Sequence, residues 1–389
     1  MSKTKIAFFS DMLMRDYDGC MRTVFHIIDR KPDDVDIKYF TGQGAVKGLN
    51  EPVVSIPNLT IPFNSNYKIA IPQLAYFKIR KEIENYKPDV IHITTPSMLG
   101  NYALQIAQEK GIPVSTIYHT HYISYVNYYL SGIQSMVHLA ENFVNSSTQN
   151  FYNNCNLVLA PTEEMISYLQ GVGVAKSKMK IWARGIDKSI FNKDNRDVSK
   201  IRKITGNDNF NILFASRLVW EKNLETLIRV YQQAEKENLK VNFIIAGDGT
   251  AYHTMQEKMP NAFFLGKIDQ KELGQVYASC DTFLFPSVSE TYGNVVLEAM
   301  SSDLPCVIAD GGGSKSFVEH GQNGFLCDPF DERDYLTHIK SLMSDDALRS
   351  EIIINSLAYT VGYDWGTLIE DYYSQVRLLD KKYIRNSVG

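Results

Sequence analysis

The chain has 389 residues, too long for one ordinary domain, and its 44% hydrophobic and 22% charged residues describe a globular protein of two or three domains. That makeup excludes disordered, collagen-like and low-complexity chains, and no run approaches the ~18 uncharged apolar residues of a membrane span. The net charge of -4 hides a split: residues 1–200 hold 22 Lys+Arg against 18 Asp+Glu, while residues 201–389 hold 18 against 26. A basic first half suits an anionic membrane, a phosphorylated substrate or nucleic acid, and a chance difference in surface weighs about as much. The five cysteines, Cys20, Cys155, Cys280, Cys306 and Cys327, are scattered without a CxxC, which argues against a disulfide framework or a zinc site. Asp11 interrupts the first apolar run before a signal-peptide core is complete. The start therefore reads as a strand, and the expected location is the cytoplasm.

In chain order, the first half alternates strands and helices. IAFFS (Ile6–Ser10) reads as a buried parallel strand. A loop with Asp18-Gly19 leads into a helix from Met21 to about Asp29. DVDIKYFTG, PVVSIP, DVIHITT (Asp89–Thr95) and PVSTIYHTH (Pro113–His121) are further strands. MLGNYALQIAQEKG has helical spacing and ends on Gly111, a good C-cap. A helical stretch over Ser131–Asn150 precedes LVLAP (Leu157–Pro161), and the next helix opens at Thr162, an N-cap followed by acids.

Over Asp187–Asn209 the apolar pattern lapses into charge, so the linker is expected there, with domains 1–195 and 196–364. A second alternation follows: FNILFASR (Phe210–Arg217), the helix NLETLIRVYQQAEKE, VNFIIAGDG (Val241–Gly249) and NAFFLG. The helix KELGQVYASC, TFLFPS (Thr282–Ser287), the helix NVVLEAMSSD, PCVIAD (Pro305–Asp310) and a late helix DERDYLTHIKSLMSDD complete it. Two such series imply two doubly wound α/β domains facing across a cleft, with ligands at the carboxyl ends of the strands. The final helix, within 365–389, is expected to cross back onto the first domain.

The segment Ser287–Asp328 carries the most chemistry. In SETYGNVVLEAM, Glu290 sits on a strand-end loop, Gly293 and Asn294 follow, and Glu298 lies about one turn into an apolar helix. The backbone N–H groups at that helix start form an anion site suited to a diphosphate. The two carboxylates suit sugar and ribose hydroxyls. Ordinary helix caps would look the same, and the spacing alone is weak. Arg217 ends a strand and Lys222 follows as the next helix opens, placing two cations where they can clamp a pyrophosphate. The plainer reading pairs them with Glu221 or Glu225. AGDG (Ala246–Gly249) and Gly311-Gly312-Gly313 put glycines at two more strand ends, where backbone can approach a ligand, though each also serves as an ordinary turn.

The order SRLVWEKN, AGDG, SETYGNVVLEAM, DGGG and HGQNGFLCDP resembles the donor-binding domain of retaining glycosyltransferases of the GT-B fold, family 4, over roughly residues 210–330. Asp18-Gly19 with Arg22-Thr23, YHTHYISYVNYY (Tyr118–Tyr129), LVLAPTEEM and KIWARGID are similar to the branch of sulfoquinovosyldiacylglycerol synthases and GDP-mannose-dependent mannosyltransferases. The resemblance implies that Arg217 and Lys222 bind the donor pyrophosphate, Glu298 the ribose and Glu290 the transferred sugar. It implies backbone contacts from Gly293, Asn294 and Val295, and closure on the phosphates at Gly19. The neighbouring Cys20 stands where many members have a second glycine. His119 matches the family's histidine at the reaction centre. As an isolated histidine it would read as a core residue, as His92 inside its strand does. Gly247, Lys267 and Ile268 complete the donor set, the last two through backbone contacts to the base.

No acidic partner for Glu290 is found in the Tyr118–Tyr129 loop, so a double displacement between two carboxylates is not expected. The family's proposed alternative is a same-face substitution in which the leaving phosphate takes the acceptor proton. Arg217 and Lys222 would then replace a divalent cation, and neither a metal nor a cofactor is required. The DxD-like Asp34-Val35-Asp36 and Asp331–Asp334 lie in polar segments.

The expected partners are a nucleotide sugar, UDP-glucose-type with GDP-mannose as the alternative, and a lipid or glycolipid acceptor, with a soluble glycan as runner-up. Two features favour lipid: the basic and apolar segment Ser65–Lys87, read as one amphipathic helix, and the tyrosines Tyr122, Tyr125, Tyr128 and Tyr129. Both suit an anionic membrane surface on the inner face of the plasma membrane. A helix solvated on its basic face and tyrosines in a cleft wall are the plainer reading of each. His121 is a further candidate for acceptor contact. A non-catalytic two-domain sugar receptor shares the architecture but needs no Arg217/Lys222 clamp. A dinucleotide oxidoreductase lacks its GxGxxG, and a pI of about 6.1 without a dense basic cluster disfavours nucleic acid.

Overall fold

The computed structural model describes residues 3–15, 19–43, 52–61, 64–119 and 134–387, without the side chains of 61, 64–67, 134–140 and 380–387. The chain divides into two units, Met1–Arg184 with Gly366–Gly389, and Gly185–Trp365.

The first unit runs β1 (Thr4–Met12), α1 (Gly19–Asp29), β2 (Val35–Gln43), β3 (Val53–Ser55), the hairpin β4 (Asn58–Ile61) and β5 (Asn64–Ala70), α2 (Tyr76–Tyr86) and β6 (Val90–Ile93). It continues through α3 (Met98–Lys110), β7 (Val114–Ile117), α4 (Gln134–Asn154), β8 (Leu157–Ala160), α5 (Glu163–Gly171) and β9 (Met179–Ile181). Its sheet has the order β3-β2-β1-β6-β7-β8-β9, and every pairing is parallel. All four residues of β6, β7 and β8 are buried, as expected of parallel strands covered on both faces. The caps at Gly111 and Thr162 fall where the sequence places them, and Ser97 adds one that it did not announce. Ser97 Oγ accepts from Gly100 N at 3.1 Å, Gly111 closes α3 in the left-handed region, and Thr162 accepts from Met165 N at 3.3 Å.

The second unit runs α6 (Val198–Thr205), β10 (Phe210–Ala215), α7 (Leu224–Lys236), β11 (Val241–Ala246), α8 (Tyr252–Lys258), β12 (Phe263–Gly266) and α9 (Gln270–Ser279). Then come β13 (Thr282–Phe285), α10 (Asn294–Ser301), β14 (Cys306–Ala309), β15 (Phe325–Cys327), α11 (Glu332–Ser344) and α12 (Asp346–Thr360). The sheet order is β12-β11-β10-β13-β14-β15, again all parallel.

Two expectations need correction. The charged stretch over Asp187–Asn209 is not a bare linker, because Asp197 accepts from Lys200 N and caps α6. That helix buries only Ile201 and Thr205, too few to show a period. Ser65–Lys87 is not one helix. Pro72 has no N–H and holds Ile71 outside the helical region, at φ -108° and ψ 87°, so β5 ends there. A 3-10 turn over Pro72–Ala75 then leads into α2.

The last helix, α13 (Trp365–Ser387), returns to the first unit as expected. Tyr373 Oη donates to Ile27 O at 2.8 Å, Trp182 Nε1 to Leu368 O at 2.8 Å, and Arg377 meets Asp34 at 2.6 Å. Tyr372 Oη lies 3.0 Å from His92 Nδ1, which is also 3.0 Å from Ser115 Oγ, and the imidazole stacks on Phe8 at 4.6 Å. His92 is thus a structural histidine joining sheet and terminal helix.

Burial pushes the His92 pKa down to about 3. In the unfolded chain the value is near 6.5, so the unfolded state binds the extra proton once the pH falls below that. The stability from a neutral His92 is complete above pH 6.5 and is lost progressively toward pH 3. Between pH 6.5 and 5 the loss is about 2 kcal/mol. Thermal melts of wild type and His92→Gln over this range should show a smaller acid-induced drop in the variant. Equal drops would assign the acid sensitivity to other groups.

Candidate active site

In each sheet the strand order reverses once, between β1 and β6 and between β10 and β13. Doubly wound sheets bind ligands at such points, outside the carboxyl ends of the strands. In the second unit the loops leaving β10 and β13 carry Arg217, Lys222 and Glu290.

Lys222 closes a 3-10 turn, Trp220–Lys222, and Asn223 follows in the left-handed region at φ 55°. Asn223 Nδ2 donates to Pro286 O at 3.0 Å and to Pro329 O at 2.7 Å, binding the start of α7 to the β13 loop. Lys222 is thereby aimed at that loop. Its Nζ lies 2.7 Å from Glu290 Oε1 and 3.3 Å from Ser289 Oγ, with 6% of the Lys222 side chain and 20% of the Glu290 side chain exposed. Glu290 Oε2 has no hydrogen-bond partner among the described residues. Arg217 is 56% exposed and reaches Glu221, itself buried, at 3.3 Å. Its pairing with Glu221 is the plainer alternative named above.

The Glu290 loop is held from behind by glycine. Gly313 N donates to Glu290 O at 2.7 Å, and a Cβ at Gly313 would run into the Thr291 carbonyl oxygen. Gly293, at φ 85°, caps α10 without a side-chain hydrogen bond. The first N–H groups of the helix, at half-buried Asn294 and Val295, therefore remain available to an anion. Glu298 is buried on the second turn of the same helix. Asn294 Oδ1 and Ser314 Oγ are buried beside this start with no hydrogen-bond partner among the described residues. Ser314 was not visible as a site residue in the sequence, although it follows the glycine run directly. Gly247 has a packing role, since a Cβ there would collide with the Ser216 carbonyl next to Arg217. Lys267 is exposed and Ile268 half-buried, just after β12.

In the first unit His119 follows β7. It is buried, and neither ring nitrogen has a partner among the described residues, while Arg184 Nη2 donates to its carbonyl at 3.4 Å. Burial first, then Arg184 and His92, hold its pKa well below the usual imidazole range, so the ring is neutral at pH 7. Gly19 opens α1, and a Cβ there would meet nothing within 4 Å among the described residues. Asp11, at the end of β1, is a buried polar group that sequence reasoning missed. Its carboxylate accepts from Ala70 N at 3.3 Å and Thr95 Oγ1 at 3.2 Å, and burial pushes its pKa up against those hydrogen bonds. The signal was the single acid closing the run IAFFSD. Asp18, Thr120, His121 and the tyrosines from Tyr122 to Tyr129 lie outside the described residues.

Residues 195–358 match the family of glycosyl transferases group 1, and residues 24–189 match glycosyltransferase family 4. A GDP-mannose-dependent alpha-mannosyltransferase of Corynebacterium glutamicum is 29% identical over 310 residues, covering 77% of this chain and 69% of the relative. A sulfoquinovosyl transferase of Arabidopsis thaliana is 33% identical over 298 residues, covering 74% of this chain and 56% of the relative. Among solved structures, the Anabaena protein HepE in complex with UDP and glucose superposes with a TM-score of 0.73 at 22% identity, covering 96% of this chain and 99% of that one. The chain is a family-4-type glycosyltransferase of the GT-B fold.

Removing Glu290 would strand a buried ammonium, at a cost on the order of 1–3 kcal/mol. Glu290→Ala should therefore lower the melting temperature. In a double-mutant cycle, Lys222→Met combined with Glu290→Gln should show favourable coupling between the two positions. Strictly additive effects would show that the pair contributes nothing to stability.

Proposed function

We propose that the protein transfers a hexose from a UDP-sugar to a membrane lipid or glycolipid, with retention and without a metal. The observation that carries the donor half is the Lys222–Glu290 pair at the reversal point of the second sheet, beside the uncapped start of α10. The N–H groups of Gly293, Asn294 and Val295 receive the diphosphate. Arg217 and Lys222 stabilise the charge that develops on the leaving phosphate. Glu290 Oε2 accepts from sugar hydroxyls, Glu298 holds the ribose, and the backbone near Gly247, Lys267 and Ile268 frames the base. The sugar–phosphate bond breaks as the acceptor oxygen bonds to the anomeric carbon on the same face, and the acceptor proton passes to the leaving phosphate oxygen. A neutral His119 contributes a hydrogen bond near the transferred sugar rather than a charge. Of the DxD-like acids, Asp34 binds Arg377 and Asp331 caps α11.

HepE was solved with UDP and glucose, which favours a UDP-sugar, while the corynebacterial relative's dependence on GDP-mannose supports the alternative. Purified protein should melt at a higher temperature with one UDP-sugar than with any GDP-sugar, and EDTA should leave the shift unchanged. A shift confined to GDP-mannose would reassign the base, and loss of the shift in EDTA would reinstate a metal.

The acceptor half rests on the surface of α2 and the turn before it. Leu74 is 71% and Phe77 is 85% exposed. Lys78 and Lys81 lie one helical turn on from them and are exposed as well. Apolar side chains flanked by cations suit an anionic interface, and no helix among the described residues is long and apolar enough to cross a membrane. The protein should float with vesicles containing phosphatidylglycerol and not with phosphatidylcholine alone, and Phe77→Ser with Lys81→Glu should abolish flotation. Equal recovery with both vesicle types, or none, would favour a soluble glycan acceptor.

A further inference from the structure

We propose that Cys327, Asp334 and His338 form a binding site for zinc or a similar borderline divalent metal, placed in the second unit at either end of the Asp328–Asp331 segment. Cys327 ends β15, and Asp334 and His338 lie on one face of α11 at i and i+4. One ligand atom from each residue lies within 4.8 Å of the others. A single ion can therefore sit within about 2.8 Å of all three, and small side-chain rotations bring it to about 2.0–2.3 Å.

Two distances favour an ion over an ordinary ion pair. Asp334 is anchored, because its Oδ2 accepts from Asp328 N at 2.8 Å. His338 Nε2 then stands 3.5 Å from Asp334 Oδ1. That is long for a hydrogen bond, yet close to the ~3.4 Å that separates two ligands of one tetrahedral ion. The His338 ring is fixed by stacking on Phe325 at 4.3 Å, and His320 abuts it edge-on at 5.1 Å. A thiolate, a carboxylate and a neutral imidazole also balance a dication, so the loaded site carries no net charge. A mixed sulfur, nitrogen and oxygen set is the donor chemistry of zinc rather than of magnesium or calcium.

On binding, the Cys327 S–H bond breaks, its proton passes to solvent, and the sulfur bonds the metal with no change of oxidation state. Water fills the fourth position. The loop that the metal closes contains Pro329, whose carbonyl accepts from Asn223 and Thr226. A bound ion would therefore clip β15 to α11 on either side of the segment that seats the start of α7. The chain has no CxxC, the usual sign of a zinc site. The ligands here are spaced Cys-x6-Asp-x3-His, and only the fold brings them together.

The test uses the full-length chain, treated with chelator and dialysed, with Co2+ as the probe and Zn2+ as competitor. One equivalent of Co2+ should give a near-ultraviolet sulfur-to-cobalt charge-transfer band and the intense visible bands of four-coordination. Zn2+ should erase both and raise the melting temperature. Cys327→Ser should abolish the charge-transfer band, and His338→Gln, at a part-exposed position, should weaken Co2+ binding at least tenfold. Should Cys327→Ser fail to fold, the His338→Gln titration decides by itself. Absence of a sulfur band in the wild type, its persistence in Cys327→Ser, or unaltered affinity in His338→Gln would overturn the site.

Discussion

An ammonium with 6% of its side chain in water needs an anion beside it, and Lys222 has Glu290. Much of the second unit's carboxyl edge follows from that requirement. The two residues stand on loops leaving different strands, β10 and β13, and those loops meet because the strand order reverses between them. Asn223 then binds the start of α7 to Pro286 and Pro329, while Gly313 receives the Glu290 backbone from the other side. Each support would lose its purpose if either charge were absent. The glycine run after β14 accordingly serves first to seat a carboxylate loop and only second to open space for a ligand.

The sheets were legible in the sequence because a parallel strand covered on both faces is written as an unbroken apolar run, such as IAFF, LVLA, TFLF or CVIA. Elements that bury little were not legible. α6 hides two side chains, β9 and β15 are three residues each, and the β4–β5 hairpin alternates too briefly to stand out. The misread Ser65–Lys87 segment had its break written plainly in Ile71-Pro72, and the apolar residues on both sides outweighed it. The site was half legible. Arg217, Lys222, Glu290 and Glu298 were recognisable by type and by their place at strand ends. The bond between Lys222 and Glu290 spans 68 positions, and no local pattern announces it. Asp11 was overlooked for a related reason: an acid at the end of an apolar run looks like the first residue of a loop until Ala70 and Thr95 are seen to donate to it.

The two units solve the same problem with different polar chemistry. At the first reversal point the groups are an aspartate and, further along the sheet, a histidine, and burial disfavours the charged form of each. At the second the groups are cations already matched with carboxylates. In the proposed transfer, stabilisation of the departing phosphate therefore rests on Arg217 and Lys222.

That leaves a question of charge balance. Two cations paired with two carboxylates are neutral before any diphosphate arrives, so at least one pair must yield. The Arg217–Glu221 pair is more than half exposed on its cationic side, so the guanidinium is the more mobile of the two cations. The exposed guanidinium can turn to a phosphate and make a two-pronged contact there, although doing so leaves the buried Glu221 carboxylate behind. Lys222 has no such freedom, because leaving Glu290 would strand two partly buried charges. It does hold three donors, of which Glu290 and Ser289 engage two. Lys222 can thus offer its remaining N–H to a phosphate without moving, while Glu290 keeps Oε2 for the sugar. On this reading Arg217 is the adjustable half of the clamp and Lys222 the fixed half, and the pair with Glu290 sets the distance between departing phosphate and transferred sugar before the donor arrives.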